Sequence, residues 1–187
     1  MAVKFLWNHL LRYGTNPYLV LGVIIVVSAV SLTGALIAEH VYGLEPCILC
    51  IYQRIPFVIA IGLAVAGLLL AEYSTAGRTI PVALCGLSFA GNAVIAGHHT
   101  GVEQGWWESF SAGCAVEGIS ATQGANLLKQ ILNTPAIRCD IIPWADPVLG
   151  ISMAGYNTLL CAGMTIFCGI CTYLIYRSSR PAFDIRA

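Results

Sequence analysis

The stretch EPCILCIYQR, Glu45 to Arg54, sets two cysteines one helical turn apart and an arginine one turn beyond the second. Residues three and four apart share a helix face, so both sulfurs and the guanidinium point roughly the same way. Pro46 suits the first helical position, where its missing N–H costs nothing. Cys47 and Cys50 then fall in the first turn, where free N–H groups and the helix dipole stabilise a thiolate. A Cys-x-x-Cys pair so placed suits thiol–disulfide exchange. Beyond Arg54 the chain is almost wholly apolar as far as Ala71. Arg54 is therefore an intramembrane charge and a candidate to hold an anionic or carbonyl-bearing ligand beside Cys50. Two plainer roles compete: the cysteines as half of a zinc site completed by Cys114, Cys139 or a histidine, and Arg54 as a side chain that merely snorkels to the interface.

These residues need a membrane to be positioned in, and the composition supplies one. Of the 187 residues, 58% are hydrophobic and only 10% charged, well short of the roughly one quarter charged that a soluble domain carries. Nine basic residues balance nine acidic ones, so net charge gives no reason to expect a nucleic-acid partner. Four apolar stretches are long enough to span a bilayer: 17–38, 48–71, 80–97 and 148–176. The expected fold is an all-α membrane protein, a single integral domain over 1–187. It is a four-transmembrane-helix bundle whose long loop, 98–147, carries a short surface helix at 125–132, where Leu127, Leu128, Ile131 and Leu132 share one face. The first stretch exceeds a signal-peptide core and lacks a convincing small-residue cleavage site, so it is expected to be retained.

Lys4, Arg12, Arg78, Arg177, Arg180 and Arg186 lie on one side of this four-span arrangement, six of the nine basic residues. The positive-inside rule places that side, with both termini, in the cytoplasm. Cys47 and Cys50 at the start of the second span, and Cys114 and Cys139 in the long loop, then face the oxidising side, where disulfides persist. Cys114 and Cys139 can form either a structural staple or an exchangeable disulfide. His98 and His99, where the third span meets the loop, are suited to metal or haem binding or to proton transfer, or to ordinary hydrogen bonding at the interface. Trp106 and Trp107 read as interfacial anchors. Cys85, Cys161, Cys168 and Cys171 read as small apolar packing residues.

With these residues in view, PCILCIYQR resembles the Pro-Cys-x-Leu-Cys-x-x-x-Arg signature of the DsbB family of bacterial inner-membrane disulfide-generating proteins. CDIIPWADPVLGISMAGYN is similar to that family's passage from its last loop cysteine into the fourth span. The resemblance implies a quinone-dependent oxidase of a periplasmic thioredoxin-like DsbA partner. It further implies that the partner attacks Cys114, that the released Cys139 attacks Cys47, and that Cys50 faces a quinone held by Arg54. The family's histidine at the quinone site corresponds best to His99, with His98 as the alternative. Gln53 stands where the family often has an acidic residue. A zinc- or haem-handling membrane protein using the outer cysteines and histidines is the competing reading from a different class.

Overall fold

The computed structural model describes residues 14–108 and 138–179. Cys114 and the 125–132 segment lie outside them. Four helices run in chain order: α1, Pro17–His40; α2, Ile48–Leu70; α3, Thr75–Glu103; α4, Met153–Ser178. All four are long and apolar enough to cross a membrane.

Each helix begins with a side chain that satisfies backbone N–H groups left open by the helical pattern. Asn16 Oδ1 accepts from the N–H of Tyr18 at 3.0 Å and of Leu19 at 3.4 Å, with Pro17 just inside the helix. Ser74 Oγ caps α3 through Gly77 N–H at 3.0 Å, and Ser152 Oγ caps α4 through Gly155 N–H at 3.1 Å. In α2 the capping atom is a sulfur: Cys47 is the N-cap, in an extended conformation, and its Sγ accepts from Cys50 N–H at 3.3 Å. Pro46 accordingly precedes the cap instead of occupying the first helical position. The fourth helix starts at Met153, because the preceding residues form a separate turn. There Asp146 accepts from the N–H of Leu149 at 2.6 Å and of Val148 at 3.2 Å, and Gly150 takes φ +68. The third helix runs past the apolar stretch that marks its span, carrying His98, His99 and Glu103 in its last turns.

The core is thin, as a bilayer allows. Phe57 of α2 meets Phe89 of α3 edge-on, ring centroids 6.0 Å apart. Leu21, Ile24, Val82, Cys161, Met164, Cys168 and Ile175 pack around this pair. Outward, Val26, Val30, Leu69, Leu87, Val94 and Ile166 are exposed. In water such coverage would be an aggregation hazard; it matches a lipid-facing surface, where helices keep every backbone bond internal. The α3–α4 interface is the most extensive, followed by α2–α3 and α1–α2. Small residues let these helices approach. A Cβ added at Gly67 would lie 2.7 Å from the Cβ of Pro81 and 3.1 Å from Leu21 Cδ1, whereas one at Gly62 would meet nothing within 4 Å.

Gly67→Val is therefore expected to destabilise the bundle by about 1–3 kcal/mol through overpacking against α3, and Gly62→Ala to be silent. Thermal unfolding of both variants in the same detergent checks this; equal melting temperatures would contradict the close α2–α3 approach.

Candidate functional site

The end of α1, the start of α2, the end of α3 and the start of α4 converge at one end of the bundle. The dithiol is there. Cys47 and Cys50 are free thiols with their sulfurs 3.0 Å apart. Cys47 is 6% exposed and Cys139 is 1% exposed, and both belong to one buried cluster with Leu49 and Val102. Cys139 is disulfide-bonded. The fold thus carries a loop cysteine, distant in sequence, into the cluster that buries the helical pair.

Three groups converge on the Cys47 sulfur: the Cys50 sulfur at 3.0 Å, the Cys50 N–H, which donates to it, and Nε2 of His99 at 3.5 Å. Its thiol is held well below the ordinary range. The largest cause is the hydrogen bond with Cys50; burial opposes it, and the hydrogen bond with His99 adds to it. A thiolate at a helix start with a histidine beside it is an arrangement that favours exchange chemistry.

His99 is 3% exposed and sits in a polar nest. Its Nδ1 lies 2.9 Å from Gln53 Nε2, and Gln53 Oε1 accepts from Asn157 Nδ2 at 2.7 Å. On its other side Nε2 is 3.8 Å from Glu103 Oε1, and the second oxygen of Glu103 accepts a hydrogen bond from the Ser152 hydroxyl. His98, its sequence neighbour, is turned elsewhere. It stacks on Trp107 with ring centroids 5.8 Å apart and planes 10° from parallel, and its carbonyl accepts from the indole N–H at 2.9 Å. Of the two histidines, only His99 lies within reach of the thiols among the described residues. Trp107 is held against the helix by Gly101, where a Cβ would fall 2.1 Å from its ring.

Arg54 does not stand alone. Its Nη1 donates to Glu39 Oε2 of α1 at 2.6 Å, and both side chains remain partly accessible. This pair borders a cavity of about 550 Å³ lined by Cys50, Gln53, Arg54 and His99 on the polar side and by Phe57, Leu160 and Met153 among the apolar residues. That volume lies in the range of small-molecule sites, mainly apolar with a few placed polar groups. Glu39, Gln53, Glu103, Ser152 and Asn157 were not singled out as site residues by the sequence. Only an acidic residue within the terminal turns of an otherwise apolar stretch, as at Glu39, gives any local signal.

Fold and site together define a membrane-embedded four-helix protein with a dithiol at one end of the bundle, set against a second, loop-borne cysteine. The model of the family "Disulfide bond formation protein DsbB" matches residues 17–171. The chain is 35% identical over 135 residues to Disulfide bond formation protein B of Ralstonia nicotianae, covering 70% of this chain and 78% of the relative. It is 31% identical over 147 residues to the protein of the same name from Stutzerimonas stutzeri, covering 75% and 85%. An uncharacterized protein of Rickettsia prowazekii is 31% identical over 150 residues, covering 79% and 83%. No solved structure matches. The chain belongs to the DsbB family of disulfide bond formation proteins.

The depressed thiol has a direct readout. In reduced protein, the thiolate ultraviolet absorbance attributable to Cys47, taken as the difference from Cys47→Ala, is expected to persist at neutral pH. It should vanish only as pH falls through a midpoint below the ordinary thiol value of about 8.5. A midpoint at or above that value would contradict the site's electrostatics.

Proposed function

We propose that this protein is a quinone-reducing protein thiol oxidase of the bacterial inner membrane, with both termini cytoplasmic and the dithiol end periplasmic. Its substrate is the reduced dithiol of a periplasmic thioredoxin-like DsbA protein. One observation carries the reading: the Cys47–Cys50 pair, sulfurs 3.0 Å apart, has Cys139 packed against one member and a ring-sized cavity against the other.

In the proposed sequence, a partner thiolate attacks the Cys114 sulfur of a Cys114–Cys139 disulfide, releasing Cys139 as a thiolate. The partner's second thiol resolves the mixed disulfide and leaves oxidised. Cys139 then attacks Cys47 of a Cys47–Cys50 disulfide and displaces the Cys50 sulfur; Cys114 closes the loop disulfide again by displacing Cys47. Two electrons and two protons have moved from the partner to the helical pair. Arg54, oriented by Glu39, and His99 supply the polar edge that holds a carbonyl-bearing ring beside Cys50. A quinone bound there would supply the acceptor for the two electrons and two protons of the Cys47–Cys50 dithiol, whose sulfurs close again to a disulfide as quinol is formed. The apolar lining excludes water, which keeps the thiolates reactive and the ring oriented.

A second reading has its own observation. Cys47, Cys50 and His99 offer three ligand atoms all within 4.8 Å of one another, a donor set that suits zinc. Metal analysis separates the two, since stoichiometric zinc in active protein would favour binding over exchange.

Cys47→Ser and Cys50→Ser are each expected to abolish quinone reduction by a reduced thioredoxin-like partner; unchanged turnover in either would remove the oxidase reading. Arg54→Met is expected to raise KM for quinone far more than KM for the protein thiol, and equal effects would remove the ring-holding role. A reduced partner lacking its second cysteine should attack the loop disulfide, release Cys139 and stay trapped in a mixed disulfide at Cys114, recoverable by non-reducing electrophoresis; failure to recover the adduct would count against attack at Cys114.

A further inference from the structure

A run of buried and half-buried hydrogen bonds crosses the bundle and ends on the Cys47 sulfur. Its direction can be read because one member cannot flip. Asn92 of α3 has a side-chain nitrogen 3.1 Å from the backbone carbonyl of Gln53. A carbonyl only accepts, so the Asn92 amide must present its NH₂ on this side. The same nitrogen donates to Cys161 Sγ of α4 at 3.3 Å. The Cys161 sulfur, which accepts from Asn92, directs its own S–H to Asn157 Oδ1 at 3.3 Å, one turn away on α4. Asn157 therefore turns its NH₂ toward Gln53 Oε1, at 2.7 Å. Gln53, its oxygen occupied, is left with its NH₂ facing His99 Nδ1 at 2.9 Å. An amide NH₂ facing a ring nitrogen requires that nitrogen to be unprotonated. The ring proton of His99 must then sit on Nε2, the atom 3.5 Å from Cys47 Sγ.

We propose that Asn157 and Gln53 are positioning residues that fix His99 as the Nε2–H tautomer, so that the imidazole donates to the Cys47 sulfur and stabilises its thiolate. Asn92 and Cys161 set the direction in which that constraint runs. The idea takes its functional meaning from the thiol oxidase reading, in which Cys47 acts as both attacked and leaving sulfur. The arrangement of amides does for this histidine what a carboxylate or backbone carbonyl does for many catalytic ones, with the opposite outcome. Those partners accept from the ring and leave the far nitrogen as a base; here the partner donates and makes the far nitrogen a donor. Gln53 is thus no neutral stand-in for an acidic residue. A carboxylate at this place would pull the ring proton to Nδ1 and leave Nε2 without one.

Three features make the assignment internally consistent. Asn92, Gln53 and His99 are 0%, 6% and 3% exposed and Asn157 is half-buried, so most of the run is shielded from bulk water. The links join α2, α3 and α4, which share the two largest interfaces of the bundle, so the geometry is held by packing. Besides His99, the ionisable groups acting on Cys47 among the described residues are Cys50 of α2 and Glu103 of α3. Cys50 and Gln53 lie one turn apart on α2 and border the same cavity, so the His99 ring itself, and not the Cys47 midpoint alone, reports the effect of the amides.

The test is a nitrogen NMR measurement on reduced, full-length protein with ¹⁵N-labelled histidine, the His99 resonances being assigned by their loss in His99→Phe. At neutral pH the wild-type ring is expected to show a bare Nδ1 and a protonated Nε2; a protonated Nδ1, whether as the other tautomer or as imidazolium, overturns the proposal. In Asn157→Asp the new carboxylate accepts from Gln53, which must then turn its oxygen to His99, and the proton moves to Nδ1. The Cys47 thiolate midpoint should rise with it by about one pH unit, as expected for one lost hydrogen bond to a charged group. Cys161→Ala breaks the run without adding charge and is expected to yield a mixture of the two tautomers. A ring that stays wholly Nε2-protonated in both variants, or an unmoved midpoint in Asn157→Asp, overturns the proposal. None of these readouts is turnover. Absence of quinone reduction in the wild type would therefore count against the oxidase reading alone, and an altered ring against this one alone.

Discussion

Polar groups inside an apolar bundle must satisfy one another, and that constraint organises this protein. An unpaired buried amide or imidazole costs several kcal/mol in a hydrocarbon-like interior. The dithiol end of the bundle nevertheless holds Gln53, Asn92, His99, Glu103, Ser152 and Asn157 among apolar neighbours. They are tolerable largely because α2, α3 and α4 bring complementary donors and acceptors into register, the Asn92 side-chain oxygen being the exception that finds no partner. The same contacts fix the distance from His99 to Cys47, and so the polarity around the sulfur. Bundle packing and thiol chemistry are therefore coupled: loosening the α3–α4 interface would release Asn157, then Gln53, then the imidazole. Low dielectric sharpens both sides of this coupling, strengthening each hydrogen bond made and penalising each one lost.

Arg54 shows the same logic for a charge. A lone guanidinium at this depth would be expensive. Pairing with Glu39 at 2.6 Å cancels the net charge while leaving guanidinium N–H groups to face the cavity. In the proposed function, a neutral ring carbonyl would meet donors there without meeting an uncompensated cation. This suits a ligand that arrives from lipid without charge, and it suits less well an anion, which would compete with Glu39. The sequence signals the arginine through its isolation in an apolar run but not its partner, 15 residues earlier at the end of another span.

The division between what the sequence discloses and what it conceals comes from the range of each interaction. Span count depends on local composition, and the four helices are legible for that reason. The cysteine pair and Arg54 are legible because their spacing is helical and short. Helix ends are less so. His98 to Glu103 look like loop residues by polarity, yet they continue α3 because Cys47, Gln53 and Ser152 satisfy them from other helices. Pro46 resembles a first-turn proline, yet Cys47 takes the cap with its own sulfur, a role that cysteine seldom fills. Choosing between His98 and His99 requires knowing which face of α3 meets α2, and adjacent residues on a helix point about 100° apart. Asn157 lies 104 residues from Gln53, beyond the reach of any local pattern.

The position of Cys139 joins these strands. Residues 138–152 return to the bundle through a tight turn stabilised by Asp146 and by the Ala145–Ser152 bridge. Ser152 then caps α4 and also donates to Glu103. One short segment thereby anchors the start of α4, holds the carboxylate beside His99, and keeps Cys139 against Cys47. The two redox-suited regions are not a loop and a bundle that happen to approach. They share a short covalent tether from Cys139 to Ser152, and that tether ends in the hydrogen-bond network surrounding the dithiol. Cys139 thus shares a buried cluster with Cys47, and the folding of this segment places it there. Exchange between them then depends on which sulfur carries the negative charge, and the residues facing Cys47 set that locally.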